Sequence, residues 1–118
     1  MFLELPHKRM DVYVAARELL AECRKATASF PGEEKYVLQG QIRRAALSVF
    51  LNIAEGASRK STAERRRFYE IARSSVVEID AGFDAANSAG YLNEKDMDKV
   101  GSLIIRTFQM LSSLINNT

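Results

Sequence analysis

Cysteine and histidine each occur once in the 118 residues, as Cys23 and His7, and proline occurs only as Pro6 and Pro31. A single cysteine excludes an intrachain disulfide. A single histidine excludes the two Glu-x-x-His motifs that a di-iron bundle requires. Glu4-Leu5-Pro6-His7 has that spacing once, but Pro6 disrupts the helical geometry it would need. His7 is also too isolated to act as the base of a catalytic triad. Walker A sequences, glycine-rich cofactor loops and carboxylates paired at i, i+3 are all missing. No enzyme activity, metal or cofactor is therefore expected. No apolar run reaches 18 residues, and the N-terminus lacks the apolar segment of a secretory signal. A soluble, cytoplasmic protein with no membrane contact is expected.

What is present is helical periodicity. Stripes at 3.6-residue spacing predict four helices over about 9–28, 33–57, 62–88 and 94–115, in a single domain spanning 1–118. The first stripe is Val12, Ala16, Leu19 and Cys23. Ser29-Phe30-Pro31-Gly32 breaks the pattern, and Glu33 and Glu34 are placed in the first turn of helix 2. Ser61 with Glu64 forms a capping-box signature that opens helix 3, and Gly90 closes it. The inner face of helix 3 reads Phe68, Ile71, Ala72, Ser75, Ile79, Gly82, Phe83 and Ala86. Asn93 caps helix 4, whose stripe is Met97, Val100, Ile104, Phe108, Leu111 and Ile115, widened by Leu103 and Leu114. Short connections imply an all-α, up-down-up-down antiparallel four-helix bundle. Leu47, Leu51, Leu103 and Leu114 would leave apolar patches if exposed, which favours self-association.

Helix 2 carries a distinctive polar arc of Gln41, Arg44, Ser48, Asn52 and Glu55. Ser and Asn are poor mid-helix residues, so the arc reads as a specified seam. Antiparallel packing about the turn near residue 59 brings position 44 level with 75–78. Glu78 shares a face with Ser75 and Gly82, and a buried carboxylate there needs a partner. Arg44 with Glu78, assisted by Ser48 or Ser75, is expected to be a buried pair that sets helix register.

The charges are close to balanced, 17 basic against 15 acidic, but unevenly spread. Residues 59–73 carry Arg59, Lys60, Arg65, Arg66, Arg67 and Arg73 against Glu64 and Glu70. Residues 74–100 carry six carboxylates against two lysines. Arg65 to Arg67 lie at a helix start, where the dipole disfavours cations. That makes Arg59, Lys60, Arg65, Arg66 and Arg67, with Arg43, candidate phosphate contacts for RNA or DNA. The plainer reading is a solvated face on which Arg66 and Arg67 pair with Glu70. No aromatic ladder accompanies them, so base stacking is not expected.

The segment from Phe30-Pro31 through Glu34, Tyr36, Leu38, Gln41, Arg43-Arg44-Ala45-Ala46, Ser48 and Asn52-Ile53-Ala54-Glu55-Gly56 resembles bacterial proteins encoded in intervening sequences of large-subunit ribosomal RNA genes. The likeness continues through Arg59, Phe68, Ile71-Ala72, Ser75, Glu78 and Gly90-Tyr91-Leu92, covering about residues 8 to 115. Ser74-Ser75 stands where that family usually has Gly-Ser. The resemblance implies a left-handed bundle assembling into a ring-like homopentamer. Related accessory proteins of diversity-generating retroelements form similar rings and bind nucleic acid and a reverse transcriptase. It supplies no catalytic residues. RNA binding is the leading expectation, and a protein-interaction scaffold the alternative.

Overall fold

The structure, a computed structural model, describes every residue except Glu34, and every side chain of those except Lys35 and Asp96. The described residues form no strand. They build four long helices, α1 (Asp11–Thr27), α2 (Gly40–Ala57), α3 (Thr62–Ser88) and α4 (Glu94–Asn116). A short 3-10 turn, Pro6–Arg9, precedes α1, and a π-helical turn, Lys35–Gln39, leads into α2. The particle measures 45 × 29 × 22 Å. Its long axis is set by α3, whose 27 residues rise about 40 Å.

Each helix buries one stripe. From α1 come Val12, Ala15, Ala16, Leu19, Cys23 and Ala26; from α2, Ile42, Ala45, Ala46, Val49 and Ile53. From α3 come Tyr69, Ala72, Val76, Ile79, Phe83 and Ala86; from α4, Val100, Leu103, Ile104, Leu111 and Ile115. Each fully buried aliphatic side chain contributes roughly 1.5–3 kcal/mol. Consecutive helices are neighbours, and α4 packs back on α1. Cross-helix contacts pair rising with falling numbers. Gln39 Nε2 donates to the Thr27 carbonyl (2.8 Å), while Tyr13 stacks on Phe50. Ser75 meets Ser48 across α2 and α3, Arg73 meets Ser112 across α3 and α4, and Glu22 meets Lys99 across α1 and α4.

The contact between α2 and α3 is the most extensive. Small residues permit it: a Cβ at Gly56 would lie 2.8 Å from Tyr69 Cε1. The helix ends follow local chemistry. Ser61 Oγ accepts from the Glu64 backbone N–H (3.1 Å), and Asn93 Oδ1 accepts from that of Lys95 (3.1 Å). Beyond α3 the chain turns at Gly90, with φ +77°.

Several expectations need correction. Regular α-helix begins at Gly40 rather than near residue 33; Glu33 lies in the preceding turn, and Glu34 lies outside the described residues. No capping side chain marks this start, so the sequence offers no local signal for it. Ile71 and Phe108 are exposed rather than inward. Tyr69 and Val76 fill the α3 face instead. Leu47 and Leu51 are exposed, whereas Leu103 is buried and Leu114 half-buried.

Candidate nucleic-acid interface

The turn between α2 and α3 gathers the basic cluster, and its members do different things. Arg65 folds back: its Nη1 donates to the carbonyls of Lys60 (2.7 Å) and Arg59 (3.2 Å), and its Nη2 to Thr62 Oγ1 (3.2 Å). A cation at the start of α3 is thus placed on the carbonyl-rich exit of α2, where the helix dipole favours it. Arg59 pairs with Glu55 one helical turn back. Its guanidinium carbon sits 5.0 Å from the centroid of the Phe68 ring, and that of Arg67 lies 5.9 Å from the same ring. Two cations thereby share one aromatic side chain. Arg66 is exposed and donates to the backbone oxygen of Thr118 (3.0 Å). Lys60 is exposed, and its ammonium makes no hydrogen bond among the described residues. The pairing of Arg66 or Arg67 with Glu70 does not form; the ion pairs among the described residues are Lys25–Glu22, Lys99–Glu22 and Arg59–Glu55.

Arg43 is elsewhere. It lies sixteen residues from Arg59, about 24 Å along the helix axis, and is half-buried. Its Nε donates to Thr27 Oγ1 (3.0 Å) and its Nη2 to the Arg24 carbonyl (3.0 Å). Thr27 in turn donates to the Cys23 carbonyl (2.7 Å). Arg43 therefore ties the exit of α1 to α2, a role hidden in the sequence because its acceptors lie 16 and 19 residues away. The fold also adds two cations that the sequence reading did not group with the cluster. The turn carrying Lys8 and Arg9 packs on α1 and α2, with His7 against Tyr13 and Tyr13 against Phe50. That places both at the end of the bundle where α2 gives way to α3.

The polar seam is present, but in separate pieces. Asn52 Nδ2 donates to the Ser48 carbonyl (2.8 Å) and to Ser48 Oγ (3.1 Å). Buried Ser75 donates to Ser48 Oγ (2.9 Å). Gln41 accepts from Arg44 (3.3 Å) within α2. The expected Arg44–Glu78 pair does not exist: both residues are exposed, and no ion pair joins them. The reason is angular. Position 78 lies roughly 120° around α3 from the buried line through Ala72 and Phe83. That is just beyond the half-buried Gly82 with which it was grouped. The carboxylate consequently stays in water.

A match to the family model described as 23S rRNA-intervening sequence protein spans residues 8–113. The chain belongs to this family. A crystal structure of a protein of unknown function from the S23 ribosomal protein family, from Bacteroides thetaiotaomicron, has the same fold. It aligns with a TM-score of 0.81 at 20% identity, covering 89% of this chain and 95% of that one. No curated protein matches the chain.

In this family member the Asn52-Ile53-Ala54-Glu55-Gly56 segment builds one end of the α2–α3 contact. Asn52 holds Ser48, Ile53 is core, Glu55 anchors Arg59, and Gly56 admits Tyr69. Burial raises the Tyr69 phenol above its ordinary value, with Arg65 opposing. Cys23 is fully buried, and burial pushes its thiol up to about 12. Among the described residues no three His, Cys, Asp or Glu side chains group as metal ligands. No described helix is long and apolar enough to cross a membrane.

Proposed function

We propose that this protein is a non-enzymatic, cytoplasmic RNA-binding accessory protein. In this reading it is an up-down-up-down, left-handed four-helix bundle assembled as a ring-like homopentamer. Lys60, Arg66 and Arg67 contact phosphates, while Arg59 and Arg65 shape the turn that presents them. The observation carrying the reading is that Lys60, Arg66 and Arg67 are exposed at one end of the bundle, with no Asp or Glu in an ion pair with any of them among the described residues. Cations gathered in this way attract a polyanion by releasing its counterions. The family description, which refers to an intervening sequence of ribosomal RNA, agrees with an RNA setting. The polar seam, by contrast, is taken up by hydrogen bonds within α2 and by one, from Ser75 to Ser48, that crosses to α3.

Titrating a fluorescent stem-loop RNA across a salt series tests the proposal. Affinity should fall steeply with salt. Changing Arg66→Ala and Arg67→Ala together should weaken binding and lower the logarithmic salt slope by roughly 2, about one per cation removed. Unchanged affinity in that double variant overturns the assignment.

A second reading, a ring that presents helix ends to a partner protein, is favoured by Tyr36 and Val37, both exposed beside the entry to α2. A nuclease-treated pull-down returning one stoichiometric protein, lost on Tyr36→Ala with Val37→Ala, would favour it over RNA binding.

A further inference from the structure

Among the described residues, two of the exposed apolar surfaces are complementary in shape and charge. One is the N-terminal arm, where Met1, Phe2, Leu3 and Leu5 are exposed, Phe2 at 89%. The other is an open groove of about 330 Å³ between α3 and α4, lined by Val76, Val77, Ile104, Ile105 and Phe108, with Asp80 and Gln109 at its edge. Val77, Ile105 and Phe108 are exposed there, Ile105 at 61%. We infer that the arm of one copy seats Phe2 and Leu3 in the Val77–Ile105–Phe108 groove of a second copy, with Lys8 and Arg9 facing Asp80 and Asp84. The inference deepens the assembly reading above and rests on it.

Reach excludes the chain's own groove. The arm is rooted in the Pro6–Arg9 turn, which packs on α1 and α2, whereas the groove opens between α3 and α4. Tyr13 stacks on Phe50 and Ser48 meets Ser75, so the turn that roots the arm lies roughly 15 Å along the axis from Val77. The bundle must also be crossed, and it is 29 × 22 Å in section. Five extended residues span at most about 18 Å.

Charge complementarity selects a second copy as the occupant. The arm is followed by Lys8 and Arg9, while the α3 edge of the groove carries Asp80 and, one turn on, Asp84. An insert that is apolar but for Glu4, with trailing cations, therefore meets an apolar slot with carboxylates beside it. Separately, each apolar surface is of the kind that marks an interaction site. Because arm and groove are different surfaces, the contact is heterologous, and repeating it closes a ring or extends a filament.

Sedimentation analysis of the full chain tests this. Phe2→Asp with Leu3→Asp removes the arm contact, and Ile105→Asp removes the groove contact. Both changes fall on exposed residues, and far-UV circular dichroism checks that each variant folds. Wild type should sediment as an oligomer and each variant as a monomer. A one-to-one mixture of the two variants should give a heterodimer and nothing larger, since it restores one intact contact. Reversing Lys8→Glu and Arg9→Glu should also disperse the oligomer, and adding Asp80→Lys with Asp84→Lys should restore it, a rescue that holds even where Ile105→Asp fails to fold. An arm variant that keeps the wild-type oligomer size overturns the inference and leaves the ring reading standing. A wild type that is monomeric at all concentrations overturns both.

Discussion

Ile42 occupies the space that a side chain at position 82 would need: its Cγ1 lies 2.6 Å from where a Cβ on Gly82 would stand. Ile42 is fully buried, so it has no free volume to retreat into. Ala is the better helix former by about 1 kcal/mol, yet overpacking costs about 1–3 kcal/mol. Gly82→Ala should therefore lower stability by about 1 kcal/mol, measured as a reduced urea midpoint at unchanged slope. A midpoint that rises would show that α2 and α3 can separate without penalty.

Arg44 and Glu78 are both in water, so neither charge should matter to folding. Glu78→Ala and Arg44→Ala should each change stability by no more than about 0.5 kcal/mol. Ser75→Ala should cost about 1 kcal/mol, because it removes the buried hydroxyl that bonds Ser48. A loss of several kcal/mol from Glu78→Ala would restore the buried pair.

Arg65 and Arg67 are two residues apart and should behave differently. Arg65→Ala removes a guanidinium bound to the Arg59 and Lys60 carbonyls and should lower stability by about 1–2 kcal/mol. Arg67→Ala should be within about 0.5 kcal/mol of wild type in chemical unfolding while weakening RNA binding. Equal destabilisation by the two would remove the distinction between turn-forming and ligand-facing cations.

Glu22 gives a pH dependence of known sign. A hydrogen bond from Lys99, aided by the Lys25 charge, holds its carboxyl below the ordinary 4.5 against some desolvation. A depressed folded-state value stabilises the fold above the unfolded value, and that contribution is lost as pH falls through the folded one. Both lysines are largely exposed, so the effect is small. The stability difference between wild type and Glu22→Gln should favour wild type near neutrality and shrink as the pH falls below the ordinary 4.5. A difference independent of pH would show that the carboxylate gains nothing from Lys99.

The sequence by itself determined the four helices, because periodicity and caps act within a few residues. The α3 limits were legible in the Ser61–Glu64 box and the glycine at 90, as was most of the core. Where no cap exists, at the entry to α2, the boundary could not be read. The sequence also showed where positive charge collects, but not which charges are free. Ile71, Glu78 and Phe108 lie at the edge of their stripes, and only the lateral placement of the neighbouring helix decides whether an edge position is covered. Arg43 and Arg65 look like their neighbours in the chain. The acceptors of Arg65 are carbonyls five and six residues back that the turn between α2 and α3 presents. Those of Arg43, the Thr27 hydroxyl and the Arg24 carbonyl, lie 16 and 19 residues away, and tertiary packing alone brings them to it.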